Sequence, residues 1–488
     1  MPSSPTLVIP GSALHDQRRI LLITYDFAPS WRIGARRWIE TARLLSDLGW
    51  GLDVVCSDAS GHEDPELIHR LPPGVRVFSL HHREGLAERV CAGAVRIRHR
   101  MRKRRRSGDG NGIGGRAEAP TSMARRRSDL PLLFQEPRDA VRAFLGWLDH
   151  ARFEPWVADA TAMARSIIGP HHRVVISSGP PHMAHEAGRR VAERTGLPLF
   201  VDFRDAWSTL PALSEPIASV VWYRMAAAYE ARVVKSASLV LTTTDEVTRH
   251  MQSRYPAARD RIATVMNGAD PQALPEPGPR SRFIIGYAGS LYLDRDPRPL
   301  FLAVRRAVDR LGVEPERFGV EMIGGVDRAL GRSTRELAEE AGVERFVSIG
   351  GRKNRSQTTR FLMDASVLVV LAWSFKDAVP AKLFDYLRYP ASILVFSAED
   401  AAPARVFGGT AVHVVPPHDI ERAADLLCQR YRDWEAGRVP VSALEPRFER
   451  RAQIGPLVDA LDALPGARSG TRRTGSADAE RVLNSLVH

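Results

Sequence analysis

The sequence predicts an α/β protein made of two doubly wound, Rossmann-like domains that face each other across a cleft. Two series of short apolar runs alternate with helical patterns, and the segment PQALPEPGPRS (271–281) lies between them. Alternating strands and helices predict parallel sheets with right-handed crossovers, and a segment rich in proline and glycine predicts a linker. The length of 488 residues also favours two domains, because a single hydrophobic core stops growing well below that size.

The first domain is predicted to span 19–275, after an N-terminal tail at 1–18. Its opening run RRILLITYDFAP (18–29) predicts a buried strand, and IGARRWIETARLLSDLGW (33–50) places apolar residues at helical spacing. LDVVCSD (52–58) completes a β-α-β unit. Further helices are predicted at 155–168, 182–195 and 218–235, and further strands at 173–178, 198–203, 238–244 and 261–267.

The second domain is predicted to span 282–440. Its strands are expected at 283–290, 318–325, 345–351, 366–372 and 392–398. The next segment, 441–465, contains the helical pattern AQIGPLVDALDAL (452–464) and is predicted to cross back over the cleft, while the polar tail at 466–488 is predicted to be disordered. Ligands of doubly wound sheets bind at the carboxyl ends of the strands, so the functional site is expected in the cleft.

Positive charge is concentrated in one part of the chain. The formal net charge is +12, and RIRHRMRKRRR (96–106) holds eight Arg or Lys in eleven residues, followed by an arginine triplet at 125–127. These residues belong to a polar stretch at about 83–130 that is predicted to be a disordered or surface insertion. Such a block favours an acidic partner, either nucleic acid or an anionic membrane surface bound through 96–127, and a merely solvated insertion is the alternative.

Composition argues against several other classes of protein. The three cysteines, Cys56, Cys91 and Cys428, lie far apart without metal-binding spacing, so neither a disulfide framework nor a zinc site is expected. The N-terminus lacks a signal-peptide pattern, and no apolar run approaches the ~20 residues of a membrane span. We therefore expect a cytoplasmic protein, peripheral on the inner face of the cell membrane if the basic insertion binds lipid.

The segment KDAVPAKLFDYL (376–387) combines two acids and one cation around a predicted helix start. Pro380 suits the first turn, which puts Asp377 in the preceding loop and Asp385 on the second turn. A helix N-terminus together with Lys382 favours a phosphate, and the flanking carboxylates suit hydroxyl groups on either side of it. A nucleotide sugar offers that combination. An ordinary amphipathic helix with a capping aspartate is the alternative.

The same segment resembles the E-x7-E signature of family 4 glycosyltransferases, retaining enzymes with the GT-B fold, with Asp377 and Asp385 at the two glutamate positions. Each aspartate is one methylene shorter than glutamate, so the contacts at these positions are expected to differ. Further motifs resemble this family in their order and spacing, and together they cover most of 19–464. They are DFAPSWRIGARR (26–37), SSGPPHMAH (177–185), VDFRDAW (201–207), NGAD (267–270) and YAGSL (287–291).

The resemblance implies catalytic and acceptor-side roles for individual residues. It places Arg204 and Asp205 beside the reacting sugar, together with Asp377 and Lys382, and it places His182 on the acceptor side. A structural Arg–Asp pair and a helix-start histidine without a function are the alternatives. The residues that it implies for donor binding are Gly34, Gly289, Ser290, Arg298, Arg352 and Asp385.

Donor binding is expected to use backbone amides and cations. Gly289 and Ser290 would bring amides to the diphosphate, and Gly34 would allow close approach of the backbone. The cation that follows YAGSL is either Arg298 or Arg295, with surface charge as the alternative for both. No metal site is predicted, because amides and cationic side chains supply the positive charge that a metal would otherwise provide.

These inferences together predict a retaining, metal-independent glycosyltransferase of the hexosyltransferase type that requires no cofactor. It would pass a sugar from a nucleotide diphosphate sugar to a hydroxyl of a saccharide or lipid-linked acceptor, a precursor of an envelope or exported polysaccharide. One alternative is a nucleotide-sugar epimerase of the same fold, for which no acid/base carboxylates can be identified. The other is a non-catalytic nucleic-acid-binding protein, but the arginine block lacks the interleaved aromatic residues that stack on bases.

Overall fold

The chain folds into two parallel β-sheets, one in each half, with helices packed on their faces. This confirms the predicted α/β architecture of two doubly wound, Rossmann-like domains. The structure is a computed structural model, which describes residues 6–59, 61, 63–81, 124–131, 135–270, 274–276, 278, 280–292, 295–372 and 376–465.

The first half contains ten described strands and seven described helices. The strands are β1 (Leu7–Val8), β2 (Arg19–Thr24), β3 (Gly51–Ser57), β4 (Val75–Leu80), β5 (Ala124–Arg126), β6 (His172–Gly179), β7 (Leu199–Phe203), β8 (Ala212–Ser214), β9 (Leu239–Thr242) and β10 (Ile262–Thr264). The helices are α1 (Ala13–Gln17), α2 (Ile33–Asp47), α3 (Pro137–Ala151), α4 (Glu154–Ile167), α5 (Met183–Thr195), α6 (Val220–Ser236) and α7 (Asp245–Arg254).

Eight of these strands form one sheet in the order β1-β4-β3-β2-β6-β7-β9-β10. All neighbours are parallel except β1, which pairs antiparallel with β4 at the edge. The six predicted strands of this half correspond to β2, β3, β6, β7, β9 and β10, whereas β4 was not predicted. The segment predicted as a tail contributes β1 and α1.

The predicted insertion is described only at its end. There β5 pairs antiparallel with β8 and forms a short ribbon outside the main sheet. The rest of the insertion, 83–123, lies outside the described residues, and with it the basic block at 96–106.

The second half contains a sheet of six strands in the order β15-β12-β11-β16-β17-β18, all parallel. Its strands, with the hairpin β13-β14, are β11 (Phe283–Ala288), β12 (Phe318–Ile323), β13 (Arg328–Ala329), β14 (Arg332–Ser333), β15 (Val347–Gly350), β16 (Val367–Leu371), β17 (Ser392–Phe396) and β18 (Val412–Val415). Its helices are α8 (Arg298–Leu311), α9 (Thr334–Glu340), α10 (Arg355–Asp364), α11 (Ala381–Tyr386), α12 (Ala402–Phe407) and α13 (Ile420–Glu435). Among the helices in the described part of the chain, none has both the length and the apolar character needed to cross a membrane.

Alternate residues of the central strands enter two separate cores. Leu21 and Ile23 of β2 pack in one apolar cluster, and Ile20 and Leu22 pack in another on the opposite face of the sheet. Successive side chains of a strand point to opposite faces, so a strand covered on both sides needs apolar residues throughout. This double burial explains the continuous apolar runs from which the strands were predicted.

The chain returns to the first half after α13 through two short helices, α14 (Arg450–Gln453) and α15 (Gly455–Asp462). Leu457 and Leu461 of α15 are buried in the core that contains Trp38 of α2. The return is fixed at the domain junction, where the amide of Arg450 donates to Ala269 O at 2.8 Å. The tail at 466–488 lies outside the described residues.

A buried ion pair orients α2 relative to the sheet. The guanidinium of Arg37 donates to Asp202 Oδ1 of β7 at 3.0 Å, and the indole of Trp38 donates to Asp202 Oδ2 at 2.9 Å. Asp202 is fully buried, so these charge-assisted hydrogen bonds hold a fixed geometry. The N-terminal turn of α2 is thereby held at the carboxyl ends of the strands.

Candidate active site

A lysine of the second half reaches the carboxyl end of β11. Helix α11 starts after Pro380, and its buried Leu383 and Phe384 pack the helix against the sheet. This packing directs Lys382 toward the strand end, where its Nζ donates to Ala288 O at 2.9 Å and lies 4.1 Å from the ring centroid of Tyr287. The ammonium group therefore occupies the position where ligands of parallel sheets bind.

The positive charge of Lys382 has no acidic partner among the described residues. Burial, together with the nearby charge of Arg295, lowers the pKa of Lys382 well below its ordinary value. Arg295 itself donates to Ser290 O at 3.3 Å and to the hydroxyl of Tyr292 at 2.8 Å, both neutral acceptors. Two neighbouring cations without carboxylate partners in the described structure favour an anionic ligand.

The loop after β11 comes very close to Lys382. Gly289 has φ +145°, a backbone conformation that favours glycine, and a Cβ added there would lie 2.5 Å from Lys382 Nζ, which would have to move. The amide of Gly289 donates to Ile323 O at 2.9 Å and is therefore occupied within the fold. Of the two predicted amide donors, only Ser290 has an N–H group without an acceptor in the described part of the chain.

Asp385 follows Lys382 by three residues on α11 and binds the first half of the chain. Arg36, in the first turns of α2, donates through Nη2 to Asp385 Oδ1 at 2.8 Å and through Nη1 to Oδ2. The two residues form a bidentate ion pair across the cleft. The sequence singled out Asp385 but did not identify Arg36.

Asp377, the other acid of the segment, lies at the rim of the cleft. Its side chain is exposed and has no hydrogen-bond partner among the described residues. Its backbone carbonyl accepts from Thr244 Oγ1 of the first half at 2.5 Å. The loop that carries Asp377 therefore contacts both halves of the chain, and the carboxylate is open to solvent.

Arg204 binds backbone carbonyls of the first half. Its guanidinium donates to Gly34 O and Pro180 O, each at 2.5 Å, and its Nε donates to Gly179 O at 2.9 Å. Burial lowers the pKa of Arg204. The side chain thus connects the start of α2 with the loops after β6 and β7, and no Arg204–Asp205 ion pair, the alternative considered for these two residues, is formed in the described structure.

Asp205 faces the cleft from the loop after β7. Its side chain is exposed and accepts no hydrogen bond from the described residues. Desolvation by the surrounding cleft raises the pKa of Asp205, and the charges of Arg204 and Arg295 oppose that rise. Arg295 belongs to the second half, so a charge of that half acts on this carboxylate of the first half.

His182 immediately precedes α5 and packs in an aromatic cluster. Its ring stacks on Trp207 at 5.1 Å between centroids, and its Nδ1 is buried without a hydrogen-bond partner in the described structure. Burial and the neighbouring His185 lower the pKa of His182 well below its ordinary value. The imidazole is therefore neutral at physiological pH.

The two remaining predicted donor-binding arginines have different partners. Arg298 begins α8 and forms an ion pair with Asp296 at 2.5 Å, while Asp296 Oδ1 also accepts from the amide of Arg298. The structure thus places Arg295, rather than Arg298, next to Lys382. Arg352 is exposed and lies 4.4 Å from the ring of Trp31, which belongs to the first half.

The structure brings several of the predicted residues to one cleft. Lys382, Gly289 and Ser290 face it from the second half, while Gly34 and Asp205 face it from the first. Sequence reasoning did not identify Arg36 or Trp31, although both lie in the quoted motif DFAPSWRIGARR (26–37). In the described ranges, no group of three or more His, Cys, Asp or Glu residues is arranged to hold a metal ion.

Comparison with known proteins identifies the fold. No protein-family model matches the chain, and no curated protein sequence matches it. Solved structures do match. A glycosyltransferase from Rickettsia africae ESF-5 aligns over 92% of this chain and 98% of its own, with 12% identity and a TM-score of 0.53.

Two further solved structures show the same similarity. HepE from Anabaena in complex with UDP-glucose aligns over 91% of this chain and all of its own, with 12% identity and a TM-score of 0.57. A UDP-forming α,α-trehalose-phosphate synthase from Burkholderia xenovorans aligns over 92% and 99%, with 12% identity and a TM-score of 0.55. The chain therefore has the GT-B fold, in which two Rossmann-like domains face each other across a cleft.

Proposed function

We propose that this protein is a glycosyltransferase that passes a sugar from a nucleotide diphosphate sugar to a hydroxyl acceptor. The observation that carries the proposal is the ammonium of Lys382, buried at the carboxyl end of β11 without an acidic partner among the described residues. A diphosphate supplies the missing negative charge. The similarity to a protein solved with UDP-glucose supports the same class of ligand.

The leaving diphosphate gains negative charge as the bond to the sugar breaks. Lys382, Arg295 and the amide of Ser290 are positioned to stabilise that charge, and they are already oriented before the reaction. Donors that need no reorganisation lower the barrier most effectively in a site from which water is excluded. In this proposal Arg298 acts on the diphosphate only from farther away, because Asp296 holds its guanidinium.

The remaining residues are assigned to the other parts of the substrates. A carboxylate offers about four hydrogen-bond acceptor positions, and Arg36 occupies two of those on Asp385. The two remaining positions accept from the ribose hydroxyls. Arg352, beside Trp31, contacts the base, and Asp377 accepts from the donor sugar. Arg204 shapes the reacting centre by fixing Gly34 and the neighbouring carbonyls.

The acceptor side belongs to the first half. Asp205 and His182 lie in consecutive loops there, and we assign the acceptor hydroxyl to their neighbourhood. We further propose that the sugar keeps its configuration, with same-face attack and the leaving phosphate taking the acceptor proton. No metal or other cofactor has a role in this mechanism, since cations of the chain neutralise the diphosphate.

The proposed acceptor is a lipid-linked saccharide of an envelope or exported polysaccharide. The basic segment 96–127 supports this proposal, because eight cationic residues in 96–106 are attracted to an anionic lipid surface. The protein would then work at the inner face of the cell membrane.

Donor hydrolysis and transfer test the proposal. Purified protein is incubated with UDP-, GDP-, ADP- and TDP-glucose, with and without a chelator, and nucleotide diphosphate release is measured. Lys382→Ala is expected to lower kcat by about 10²–10³, the loss typical of one transition-state donor. Lys376→Ala is the matched control, because Lys376 is an exposed lysine six residues away that pairs with Asp400. Equal turnover of wild type and Lys382→Ala would remove Lys382 from the mechanism.

A further inference from the structure

Helix α3 turns an apolar face toward solvent. Val141, Phe144 and Trp147 follow one another at three-residue spacing, and their exposed fractions are 57%, 51% and 47%. The rings of Phe144 and Trp147 stack at 6.0 Å between centroids with an interplanar angle of 24°. Two large aromatic side chains therefore form a single exposed apolar surface, here called the α3 face.

The opposite side of α3 is packed on the domain. Ala143, Gly146 and His150 are buried, and a Cβ added to Gly146 would lie 2.7 Å from Ser219 Oγ. A surface helix of a globular protein normally carries polar residues on its solvent side. In α3 the solvent side is apolar although the buried side is already satisfied, which is typical of an interaction surface.

An exposed basic residue lies on α3 beside the apolar face. Arg138 is exposed in the first turn of α3. Arg126 is exposed on the ribbon of β5 and β8, and β8 ends one residue before Glu215, which accepts from Arg142 of α3 at 2.7 Å. In the sequence, the block 96–106 precedes this ribbon with eight further cations. These arginines favour a partner that is negatively charged as well as apolar.

We propose that the α3 face docks on an anionic lipid bilayer, with Phe144 and Trp147 inserted among the headgroups. Aromatic side chains prefer the boundary between headgroups and acyl chains, and flanking arginines bind the lipid phosphates. At 15 residues, α3 is about 22 Å long, so it lies on the membrane rather than spanning it. The first half of the chain is thereby anchored to the surface.

Other occupants fit these features less well. A second copy related by two-fold symmetry would bring Arg138 and the ribbon arginines of both copies together, and like charges repel. Nucleic acid would satisfy the arginines but would leave Val141 and the edges of the aromatic pair without apolar contacts. An anionic bilayer satisfies both the charge and the apolar area.

Vesicle binding tests the proposal with the full-length protein. Co-sedimentation is measured with vesicles of phosphatidylcholine alone and with an equal mixture of phosphatidylcholine and phosphatidylglycerol. Wild type is expected to bind only the mixture, and Phe144→Ser/Trp147→Ser is expected to bind it at least about tenfold more weakly. Val439→Ser/Val441→Ser is the matched control, since both valines are exposed apolar residues of the second half.

The substituted side chains are exposed, so thermal unfolding should match that of wild type and exclude misfolding as the cause. Full vesicle binding by the Phe144→Ser/Trp147→Ser variant would overturn the proposal. It would do so even if deletion of 96–106 abolished binding, because the lipid would then be bound by the basic block and not by the α3 face. A wild-type dimer that the same variant converts to a monomer without lipid would identify a contact between copies instead. Hydrolysis of the nucleotide sugar, measured in parallel, should be unchanged in the variant. If wild type does not hydrolyse any nucleotide sugar, the proposed function is refuted, but the proposed lipid docking is not.

Discussion

The ion pair between Arg36 and Asp385 connects the two halves across the cleft, and its removal is expected to weaken nucleotide-sugar binding. The pair is bidentate, and the exposed fractions of the two side chains are 36% and 18%. Solvent screening at this exposure limits its contribution to about 1 kcal/mol. Loss of that energy changes the ratio of closed to open protein about fivefold. We expect Arg36→Ala to raise the Kd of the donor by the same factor.

Asp385→Ala is expected to weaken binding more, because it also removes the proposed acceptor of the ribose hydroxyls. Hydrogen bonds to a charged group contribute about 1.5–3 kcal/mol, so the Kd should rise by about one to two orders of magnitude. The double variant should be no weaker than Asp385→Ala, since Arg36 acts through the carboxylate that is missing. Isothermal titration of UDP-glucose with all four proteins measures the complete cycle.

Arg310→Ala is the control for this cycle, because Arg310 pairs with Asp425 at 2.7 Å entirely within the second half. Its Kd should match that of wild type. Independent, additive effects of Arg36→Ala and Asp385→Ala would refute the positioning of Asp385 by Arg36. An unchanged Kd in Arg36→Ala would refute the contribution of the pair to closure.

Three further predictions concern the loop, the response to acid and the returning helix. Gly289→Ala should cost about 1–3 kcal/mol of unfolding free energy and displace Lys382, whereas Gly312→Ala, at φ +61° with open space around it, should reduce stability but not turnover. Burial and the charge of Arg204 lower the pKa of His185 to about 3. As the pH falls below about 6.5, the imidazole of His185 is therefore protonated in the unfolded state but not in the folded state. The free energy of unfolding measured in urea should therefore be about 2–3 kcal/mol lower at about pH 4.5 than at pH 7. In His185→Gln this part of the pH dependence should be absent. Leu457→Ala should cost about 2–5 kcal/mol in the same assay, and exposed Asp459→Ala should be neutral.

Double burial made the central strands predictable, and its absence explains the elements that were missed. Runs such as β2 are buried at every position and stand out in the sequence as continuous apolar segments. Strand β4, VRVFSL, alternates and carries Arg76, which pairs with the buried Asp53, so its pattern is weaker. Helix α3 lies between the polar insertion and the helix predicted at 155–168, and it was not predicted although its apolar residues recur at helical spacing.

The residues of the site were predictable where one segment carries the chemistry, and not where two distant segments meet. Lys382 and Asp385 stand three positions apart in a single recognisable pattern. Arg36 lies 349 positions from its partner, and nothing in either segment specifies that contact. The sequence favoured Arg298 over Arg295 for the diphosphate, and only the folded loop shows that Asp296 takes Arg298.

The distribution of charge partners separates the structural ions of the cleft from those available to a ligand. Arg204, Arg298 and Arg36 each have acceptors supplied by the fold, either carbonyls or carboxylates. Lys382 and Arg295 have only neutral acceptors in the described structure. Bringing two cations together in a desolvated place costs free energy, and an anion recovers that cost when it binds. A bound diphosphate offsets the cost of desolvating both cations, so its binding and closure of the two halves should occur together.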